Sequence, residues 1–465
     1  MDKAKIKKIL FPRSIAVVGA SEDRGKLGYN ITENLLKLEF PGEVYLINPK
    51  HQEVFGRKSF PTLDSIGTSV DLVLSAVGAE ATVEVAKKCA ELDIDALVAY
   101  AASFREVGQD GSMLERELKA VAQESGLAVL GPNTPGFING NVPVNATFFP
   151  FNTERGNVAI ITQSGGVGGA IYQKARREDL PVGLWIGVGN RMNVDFHDLL
   201  LVLGEDKTVR VIGIYMEGTE RGEQFLSAVK KVILQKPVVI YKAGRSSDAD
   251  RLALSHTGSL SGSVQIHKGL FKQAGLIQVN SVQELVCVCK GLAKAPRPKG
   301  ERIGVITPSG GGSIIIFDVL REQACFLPPF TKDTERKIRS IMDNTESVIY
   351  KNPLDLTTTG FQAGLYGRVI QALAMDENVD LILAIFPIHE YFPPPDKQLI
   401  EVKRKTGKPV IVYWIAIDVL NDEYKKRRKI LERNEIPVFL FPEEAAWAAR
   451  GLVNYFRIQK ENKPG

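Results

Sequence analysis

The sequence predicts an α/β protein of three domains, each built on a parallel sheet that helices cover. Short runs of β-branched and apolar residues alternate with stretches in which apolar residues recur at helical spacing, as in residues 72–77 and 83–90. Many of the predicted strands end in glycine, asparagine or serine, which favour turns. At about 150 residues per domain, the chain of 465 residues corresponds to roughly three domains. Alternating strands and helices favour doubly wound sheets, whose ligands bind at the carboxyl ends of the strands.

The composition is that of a globular protein and gives no reason to expect nucleic acid as a partner. Hydrophobic residues make up 44% and charged residues 24%, and 59 basic residues nearly balance 54 acidic ones, which leaves a net charge of +5. No basic block stands out, although a mild positive excess suits an anionic, phosphate-bearing ligand. The N-terminus lacks the apolar core of a signal peptide, no run has the length of a membrane span, and the four cysteines have no metal-site spacing. We therefore expect a cytoplasmic protein with buried, reduced thiols.

Residues 1 to about 150 begin with the strand, glycine turn and helix start of a nucleotide-binding unit. The apolar run 14–18 ends in Gly19, Ala20 and Ser21, and a helical pattern begins near Tyr29. No glycine stands two places after Gly19, so the dinucleotide fingerprint is incomplete and NAD is disfavoured. Another nucleotide is compatible, because the free amides of a helix start attract phosphate.

Further strands in this segment should bring their following loops to the same edge of the sheet. The strands are expected at 44–47, 72–77, 96–100 and 128–130. Polar or glycine-containing loops follow the first three, at 48–50, 77–78 and 103–106. Lys50 fits two interpretations equally well, a contact with a ligand phosphate or a solvated loop lysine.

A second glycine turn, at residues 163–169, is a better candidate for anion binding than Gly19. Four glycines and Ser164 stand between the predicted strand 158–162 and a helix that starts at Ala170. Such a junction exposes several backbone amides at the positive end of a helix. The turn lacks the lysine of a P-loop, and a tight packing turn is the alternative interpretation.

The next three predicted strands, 184–188, 211–216 and 238–241, should add their ends to the same edge as this turn. Gly189 and Asn190 follow the first, Glu217 follows the second, and the loop with His256 comes after the third. His256 stands among hydroxyl residues and glycines, which suits an exposed nucleophile that carries a transient phosphate. A polar loop that caps the next helix is the alternative.

Glu217 is the candidate partner for that histidine. A carboxylate that accepts a hydrogen bond from one imidazole nitrogen fixes the tautomer and makes the other nitrogen a better nucleophile. A carboxylate near a helix N-terminus is common as well, and this is the alternative for Glu217.

Residues from about 300 onward repeat the pattern that opens the second segment, an apolar strand followed by a glycine-rich turn. A linker-like stretch at 296–300 precedes the apolar run 303–307, which leads into Pro308, Ser309 and three glycines. The strand and turn at 158–166 have the same pattern, so we expect two domains of similar architecture. No second nucleophilic group of residues is evident in this segment.

Nine short motifs, in order and with matching spacing, resemble the α-type subunit of the NDP-forming acyl-CoA synthetases, which are relatives of succinyl-CoA synthetase. The motifs are Val18-Gly19-Ala20-Ser21, Asn48-Pro49-Lys50, Gly131-Pro132-Asn133, Gln163-Ser164-Gly165-Gly166, Val188-Gly189-Asn190, Glu217-Gly218, Lys242-Ala243-Gly244, Ser255-His256-Thr257-Gly258-Ser259 and Asn352-Pro353-Leu354-Asp355. The resemblance covers nearly the whole chain. It implies a Rossmann-like CoA-binding domain at 1–150 and two flavodoxin-like domains at 151–296 and 297–465.

The resemblance also implies a reaction and roles for particular residues. Acyl-CoA, ADP and phosphate would give a carboxylic acid, CoA and ATP, through an acyl phosphate and a phosphohistidine at His256 that Glu217 assists. The phosphoryl group would be held by Gln163, Ser164, Gly165, Gly166, Gly189 and Asn190. CoA would be held by Gly19, Ala20, Ser21, Lys26, Asn48, Lys50, Val77, Ser103, Phe104 and Asn133.

The nucleotide and Mg²⁺ would bind a separate β-type chain with an ATP-grasp fold, because the sequence after residue 300 does not resemble an ATP-grasp module. The family's default assembly is α2β2. No metal site is expected on this chain.

Two departures from the family pattern leave the acyl group open. Thr134 stands where the family usually has cysteine, and Arg191-Met192-Asn193 stands where small or acidic residues are usual. An acidic substrate held by Arg191 is one interpretation. A CoA-binding protein without catalysis is the alternative function, and an NAD-binding oxidoreductase is disfavoured by the spacing after Gly19.

Overall fold

Three sheets, each mostly parallel and flanked by helices, confirm the predicted α/β class. The computed structural model describes residues 1–38, 40–244, 264–322, 324–388, 394–416 and 422–462. The chain divides into two units, Met1–Val282 with two of the sheets and Gln283–Gly465 with the third. In the described ranges, no helix combines the length and the apolar character that crossing a membrane requires.

The first sheet follows the nucleotide-binding pattern predicted for the N-terminal segment. Its elements are α1 (Lys3–Leu10), β1 (Ser14–Val18), α2 (Leu27–Lys37), β2 (Glu43–Ile47), β3 (Glu53–Val54), β4 (Arg57–Phe60), β5 (Leu72–Ser75), α3 (Ala79–Glu91), β6 (Ala96–Ala99), α4 (Gln109–Ser125) and β7 (Ala128–Leu130). The strand order is β3-β4-β2-β1-β5-β6-β7, and only β3 and β4 are antiparallel. The chain direction across the sheet reverses between β1 and β5, and ligands of such sheets bind beyond the carboxyl ends at this point.

The second sheet carries the glycine turn and the Glu217 loop. Its elements are β8 (Gly136–Asn139), β9 (Val144–Thr147), β10 (Val158–Thr162), α5 (Gly165–Arg177), β11 (Val182–Gly187), α6 (Phe196–Glu205), β12 (Val211–Met216), α7 (Gly222–Val232), β13 (Val238–Lys242), α8 (Val264–Gln273) and β14 (Ile277–Gln278). The order is β14-β13-β12-β10-β11-β8-β9. Strands β10 to β13 are fully or mostly buried apolar runs, as expected for parallel strands covered on both faces.

The hairpin β8-β9 belongs to the second sheet although it precedes residue 150. β8 pairs antiparallel with β11, and side chains tie the hairpin to helices of the first sheet. Asn34 Nδ2 in α2 donates to the Thr147 carbonyl at 2.8 Å, and Asn139 Nδ2 donates to the Leu10 carbonyl at 2.8 Å. The domain boundary near residue 150 therefore stays a prediction, and the strand pairing favours a division before residue 136.

The third sheet repeats the architecture of the second in the unit Gln283–Gly465. The elements are α9 (Val282–Lys294), β15 (Ile303–Thr307), α10 (Gly310–Glu322), α11 (Lys332–Ile341), β16 (Ile349–Tyr350), β17 (Leu354–Asp355), α12 (Ala363–Ala374), β18 (Leu381–Ile388), α13 (Asp396–Thr406), β19 (Val410–Ala416), α14 (Asp422–Arg433), β20 (Val438–Phe439) and α15 (Pro442–Glu461). The order is β16-β17-β15-β18-β19-β20. Most of α9 lies in this unit, so the boundary predicted at 296 also stays a prediction.

The turn predicted to recur in the second and third sheets does so with the same hydrogen bond. Thr162 Oγ1 donates to the Ser164 carbonyl at 2.8 Å, and Thr307 Oγ1 donates to the Ser309 carbonyl at 2.7 Å. In both cases a threonine at the strand end fixes the turn into a glycine-rich helix start. The expectation of two similar architectures is confirmed.

A buried ionic cluster joins α9 to α14 in the third sheet's unit. The Lys290 side chain is 0% exposed, and its Nζ lies 2.8 Å from Glu432 Oε1 and 2.6 Å from the Val438 carbonyl. Lys294 and Arg428 also contact the Glu432 carboxylate. Burial raises the pKa of Glu432, but the charges of Lys290, Arg428 and Lys294 outweigh burial and lower it to about 2.

Replacing Glu432 with glutamine should lower the free energy of unfolding by roughly 3–5 kcal/mol, because Lys290 is left buried without its counter-charge. The ionised carboxylate stabilises the fold fully above its unfolded pKa of 4.5, and this contribution is lost as the pH falls toward 2. Denaturant unfolding at pH 7 and at acidic pH should therefore show a difference between wild type and variant that shrinks below pH 4.5. Glu435→Gln, which affects a more exposed pair with Lys403, is the control and should cost about 1 kcal/mol or less. An equal cost for both variants would contradict the assignment.

Candidate active site

The Gly19 turn, at the end of β1, packs so closely that only glycine fits it. Gly19 has a φ of +90°, and a Cβ there would lie 2.8 Å from Val77 Cγ1. Helix α2 meets the same turn at Gly28, where a Cβ would lie 1.9 Å from the Gly19 carbonyl oxygen. Such a close approach of a helix start to a strand end is typical of turns whose backbone binds phosphate-bearing ligands.

The loop after β2 joins the same edge through Asn48. Its Nδ2 donates to the Ala20 carbonyl at 2.8 Å, and its Oδ1 accepts from the Lys50 backbone N–H at 2.8 Å. Asn48 therefore holds the Gly19 turn and the Lys50 loop together. The Lys50 residue is exposed beside them, and its contact with CoA stays a prediction.

The other residues predicted to hold CoA have different environments. Ser21 Oγ accepts from the Asp23 backbone N–H at 3.1 Å, and the exposed Lys26 lies with its Nζ 3.7 Å from an Asp23 carboxylate oxygen. Ser103 is exposed with a φ of +74°. Phe104 is fully buried in the core of the first sheet, so its side chain is not available to CoA and only its backbone is left for such a contact.

The glycine turn at the start of α5 combines packing with open space. Ser164 caps the helix, since its side chain accepts from a backbone N–H of the first turn at 3.4 Å. A Cβ at Gly168 would lie 2.5 Å from Thr162 Cγ2, so this glycine is needed for packing. A Cβ at Gly166 would meet nothing within 4 Å, and one at Gly165 would make only ordinary contacts. The space in front of the first helical amides is therefore open, as anion binding requires.

Gln163 positions the loop that carries Glu217. Gln163 Oε1 accepts from the backbone N–H groups of Glu217 at 2.9 Å and Gly218 at 3.1 Å. The Tyr215 hydroxyl donates to Glu217 Oε1 at 3.3 Å. Burial and then the Glu217 carboxylate raise the pKa of Tyr215, so its hydroxyl stays a donor. The amide oxygen of Gln163 supports the Glu217 loop, and only its Nε2 remains as a donor for a phosphoryl group.

The turn after β11 lies against the loop after β7. Gly189 has a φ of +54°, and a Cβ there would lie 2.3 Å from the Pro132 carbonyl oxygen. The Asn190 backbone N–H donates to the same oxygen at 2.8 Å. The two sheets of this unit therefore meet at their strand ends through backbone contacts.

The side-chain amide of Asn190 is oriented by two carboxylates. Its Nδ2 donates to Glu106 Oε2 at 2.8 Å and to Glu115 Oε2 at 2.9 Å, and its Oδ1 accepts from Asn133 Nδ2 at 3.4 Å. Both N–H groups are used, and the oxygen can only accept. The phosphate contact predicted for the Asn190 side chain does not fit this geometry, because an anion needs donors.

One cavity of about 570 Å³ lies at these strand ends, and it is lined by predicted residues from four loops together with residues from other segments. The predicted residues that line it are Asn133, Gln163, Ser164, Gly165, Gly166, Gly189, Asn190 and Glu217. The remaining predicted CoA residues do not line this cavity, although Leu27 beside Lys26 does. The residues predicted to hold the phosphoryl group thus line one cavity. Most of the residues predicted to hold CoA lie instead at the neighbouring edge of the first sheet.

Eight lining residues were not among the predicted site residues, although Thr134 was noted from the sequence as a departure from the family pattern and Arg105 lies in the predicted loop 103–106. The eight are Leu27, Tyr100, Ala101, Ala102, Arg105, Thr134, Pro135 and Phe148. Arg105 could have been predicted from the sequence, because it is a basic residue in a strand-end loop, one place after Phe104. Its Nη2 donates to the Asn190 carbonyl at 2.6 Å and its Nη1 to Glu220 Oε1 at 3.0 Å. The apolar lining residues carry no pattern that separates them from core residues.

The two departures from the family pattern have structural roles. Thr134 lines the cavity, but its hydroxyl donates to the Gly187 carbonyl at 2.7 Å. The Arg191 side chain is 2% exposed, lies 3.7 Å from an Asp195 carboxylate oxygen and is not part of the cavity lining. Burial, opposed by Asp195, lowers the pKa of Arg191. The structure therefore does not support Arg191 as the group that holds an acidic substrate.

His256 lies outside the described residues, in the stretch 245–263. The strand before this stretch, β13, ends at Lys242, which pairs with Met216 directly before Glu217. The chain therefore leaves β13 at the edge of the sheet that carries Glu217. Among the described residues, no cluster of histidine, cysteine, aspartate and glutamate suited to a metal ion is found.

Comparison with known proteins assigns the class of this fold and site. A family model described as a CoA binding domain matches residues 13–140, and one described as a succinyl-CoA ligase like flavodoxin domain matches residues 155–292. These two matches cover every strand except β9 of the two sheets that contribute to the cavity. They define a CoA-dependent ligase and agree with the rejection of NAD.

Full-length relatives narrow the class. The chain is 34% identical to the α subunit of acetate–CoA ligase (ADP-forming) II of Pyrococcus furiosus, with 95% of this chain and 96% of the relative covered. It is 33% identical to acetate–CoA ligase (ADP-forming) I of Archaeoglobus fulgidus, where 98% of this chain spans 65% of the relative. The solved structure of dinucleotide-forming acetyl-CoA synthetase 1 of Candidatus Korarchaeum cryptofilum, in complex with phosphate and ADP, matches with a TM-score of 0.90 and 31% identity over 99% of both chains.

The chain belongs to the ADP-forming acyl-CoA synthetases, as an α-type subunit. It is an acid–thiol ligase that binds CoA.

Proposed function

We propose that the 570 Å³ cavity is the site where phosphate and CoA exchange the acyl group, and that the phosphoryl group then passes through His256 to ADP. The observation that carries the proposal is the convergence of eight predicted residues from the loops after β7, β10, β11 and β12 on one cavity.

The first step uses the open start of α5. A phosphate oxygen attacks the thioester carbonyl carbon, a C–O bond forms, the C–S bond breaks and CoA leaves as the thiolate. Backbone amides at Gly165 and Gly166 would hold the phosphate and stabilise the charge that develops. Ser164 and the Nε2 of Gln163 would add donors, and Gly189 would leave space for the group.

The second step needs a nucleophile beside this cavity. A ring nitrogen of His256 attacks the phosphorus of the acyl phosphate, and the carboxylate leaves. Glu217, held by Gln163 and Tyr215, would accept a hydrogen bond from the other ring nitrogen and stabilise the imidazolium character of the phosphorylated ring. The phosphohistidine then transfers its phosphoryl group to ADP, which gives ATP and restores the imidazole.

CoA would extend from the cavity along the carboxyl edge of the first sheet. The tight turn at Gly19 supports a phosphate-bearing ligand there because it brings backbone to the strand reversal. The neighbouring Asn48–Lys50 loop, which Asn48 holds against this turn, adds a cation. The CoA contacts proposed are Gly19, Ala20, Ser21, Lys26, Asn48, Lys50, Val77, Ser103, Asn133 and the backbone of Phe104.

A separate β-type chain with an ATP-grasp fold would complete the enzyme, with Mg²⁺ and the nucleotide on that chain and an α2β2 assembly in the cytoplasm. Two features of the relatives support a partner. The Pyrococcus furiosus relative is named as a subunit, and roughly a third of the Archaeoglobus fulgidus relative lies beyond the part that this chain matches.

Incubation with the partner chain, Mg²⁺ and γ-labelled ATP tests the phosphoryl relay. We expect one acid-labile phosphate per chain, which peptide mass spectrometry locates at His256, and its removal by added ADP. Labelling of a His256→Asn chain to the same extent would contradict the proposal. A chain that binds CoA but takes no label would instead indicate a CoA-binding protein without catalysis.

A further inference from the structure

The Asn190 amide has one orientation that its surroundings allow. Glu106 and Glu115 place carboxylate oxygens 2.8 and 2.9 Å from its nitrogen. In the reversed orientation the amide oxygen would face two carboxylate oxygens at these distances, which is strongly repulsive. The contact from Asn133 Nδ2 to Asn190 Oδ1 agrees with the observed orientation. Asn190 and Asn133 both line the cavity, so the oxygen between them is an acceptor on the cavity wall.

This wall is unsuited to an anion. The Glu217 carboxylate also lines the cavity, and the Arg105 guanidinium is bound to Glu220 and to the Asn190 carbonyl. Glu115 lies 3.5 Å from Arg105 Nε, so carboxylates balance the charge of this guanidinium. The cavity therefore has amide donors at the start of α5 and acceptors at Asn190.

A hydrogen-bond acceptor on the wall favours binding of a reactant group that is a hydrogen-bond donor. Phosphate and carboxylate present mainly acceptor oxygens at neutral pH. The thiol arm of CoA carries an amide N–H only two carbons from its sulfur, and the sulfur must reach the reacting carbonyl. An acceptor on the cavity wall that binds this N–H would fix the position of the thioester.

We propose that Asn190 Oδ1 accepts a hydrogen bond from the amide of CoA nearest to the sulfur, and that Glu106 and Glu115 are positioning residues that orient Asn190 for this contact. The inference rests on the proposed use of the cavity for acyl transfer. It reassigns Asn190 from the phosphoryl group to the thiol arm, whose orientation it sets.

A substrate analogue tests the contact directly. Arsenate-dependent cleavage of acetyl-CoA is compared with cleavage of an acetyl-CoA in which the N–H nearest to the sulfur is replaced by oxygen, with the chain and its partner together. Wild type should prefer acetyl-CoA by about tenfold in kcat/KM, since the analogue loses one hydrogen bond and sets an oxygen against Oδ1. Asn190→Leu should reduce this preference to about twofold or less.

Two further variants separate the contact from a general loss of structure. Thr134→Val changes another lining residue, whose hydroxyl is used by the backbone, and should keep the tenfold preference whatever its activity. Glu106→Gln combined with Glu115→Gln keeps Asn190 but removes the charges that orient it, so the preference should fall several-fold.

An Asn190→Leu protein that keeps the wild-type preference overturns the inference. If that variant does not fold, an unchanged preference in the double glutamine variant overturns it. Wild type that cleaves neither acetyl-CoA nor other acyl-CoA thioesters would contradict the proposed function itself, and the inference with it.

Discussion

Replacing His256 with asparagine should abolish ATP formation from acetyl-CoA, ADP and phosphate while leaving arsenate-dependent cleavage of acetyl-CoA. Asparagine has no nucleophilic nitrogen that can accept the phosphoryl group, so we expect a fall of at least about 10³-fold in the complete reaction. In the proposed mechanism, the first step does not use the histidine. Arsenate replaces phosphate in that step, and the acyl arsenate hydrolyses in water, so release of the CoA thiol reports the step alone.

His267 provides the matched control for this substitution. It lies in α8, with its ring 5.8 Å from that of Phe271 and away from the cavity lining. His267→Asn should keep both reactions within about twofold of wild type. A His256→Asn enzyme that still forms ATP would exclude the histidine relay, and one that loses both reactions would indicate that His256 acts in the first step as well.

Replacing Gly28 with alanine should weaken CoA binding by at least about tenfold. The added methyl would lie 1.9 Å from the Gly19 carbonyl oxygen, so α2 must move away from the strand end that it covers. The backbone atoms in this contact cannot turn aside as a flexible side chain can, and such overpacking costs about 1–3 kcal/mol in stability as well. Isothermal titration of the chain with CoA measures the loss, and thermal unfolding measures the stability.

Gly25, in the same loop, is the control. A Cβ there meets only Asp23 Oδ1, at 3.4 Å, so Gly25→Ala should bind CoA as wild type does. Equal affinity of the Gly28→Ala and wild-type chains would show that CoA does not depend on the close packing of α2 on the Gly19 turn. Equal losses in both variants would point to flexibility of the loop instead.

The sequence was sufficient for most of the parallel strands, and eight of the predicted site residues line one cavity. Strands buried on both faces are continuous apolar runs, and the glycine turns at 19 and 163–169 mark where such strands end. Because parallel strands share one carboxyl edge, residues far apart in sequence could be assigned to one site. Glu217 and Gly189 were predicted together for this reason, and the cavity contains both.

Side-chain environments could not be read from the same patterns. Phe104 stands in a strand-end loop and yet is buried, since the loop folds back over the core of the first sheet. Arg191 differs from its family and yet pairs with Asp195 in the interior. The family resemblance assigned Asn190 to phosphate, whereas its side-chain donors go to Glu106 and Glu115, which are 84 and 75 positions away in sequence.

The β8-β9 hairpin limits how the gene could be rearranged. Its strands complete the second sheet, while Asn34 and Asn139 fasten it to helices that cover the first. A recombination event between the two sheets would separate the hairpin from some of its contacts. Either its pairing with β11 would be lost, or the side-chain amides of Asn34 and Asn139 would lose their acceptors near α1 and α2. Residues from the N-terminus to the end of the second sheet should therefore be inherited as one block, and transplanting the coenzyme-binding half alone into another protein should fail unless the hairpin's partners travel with it.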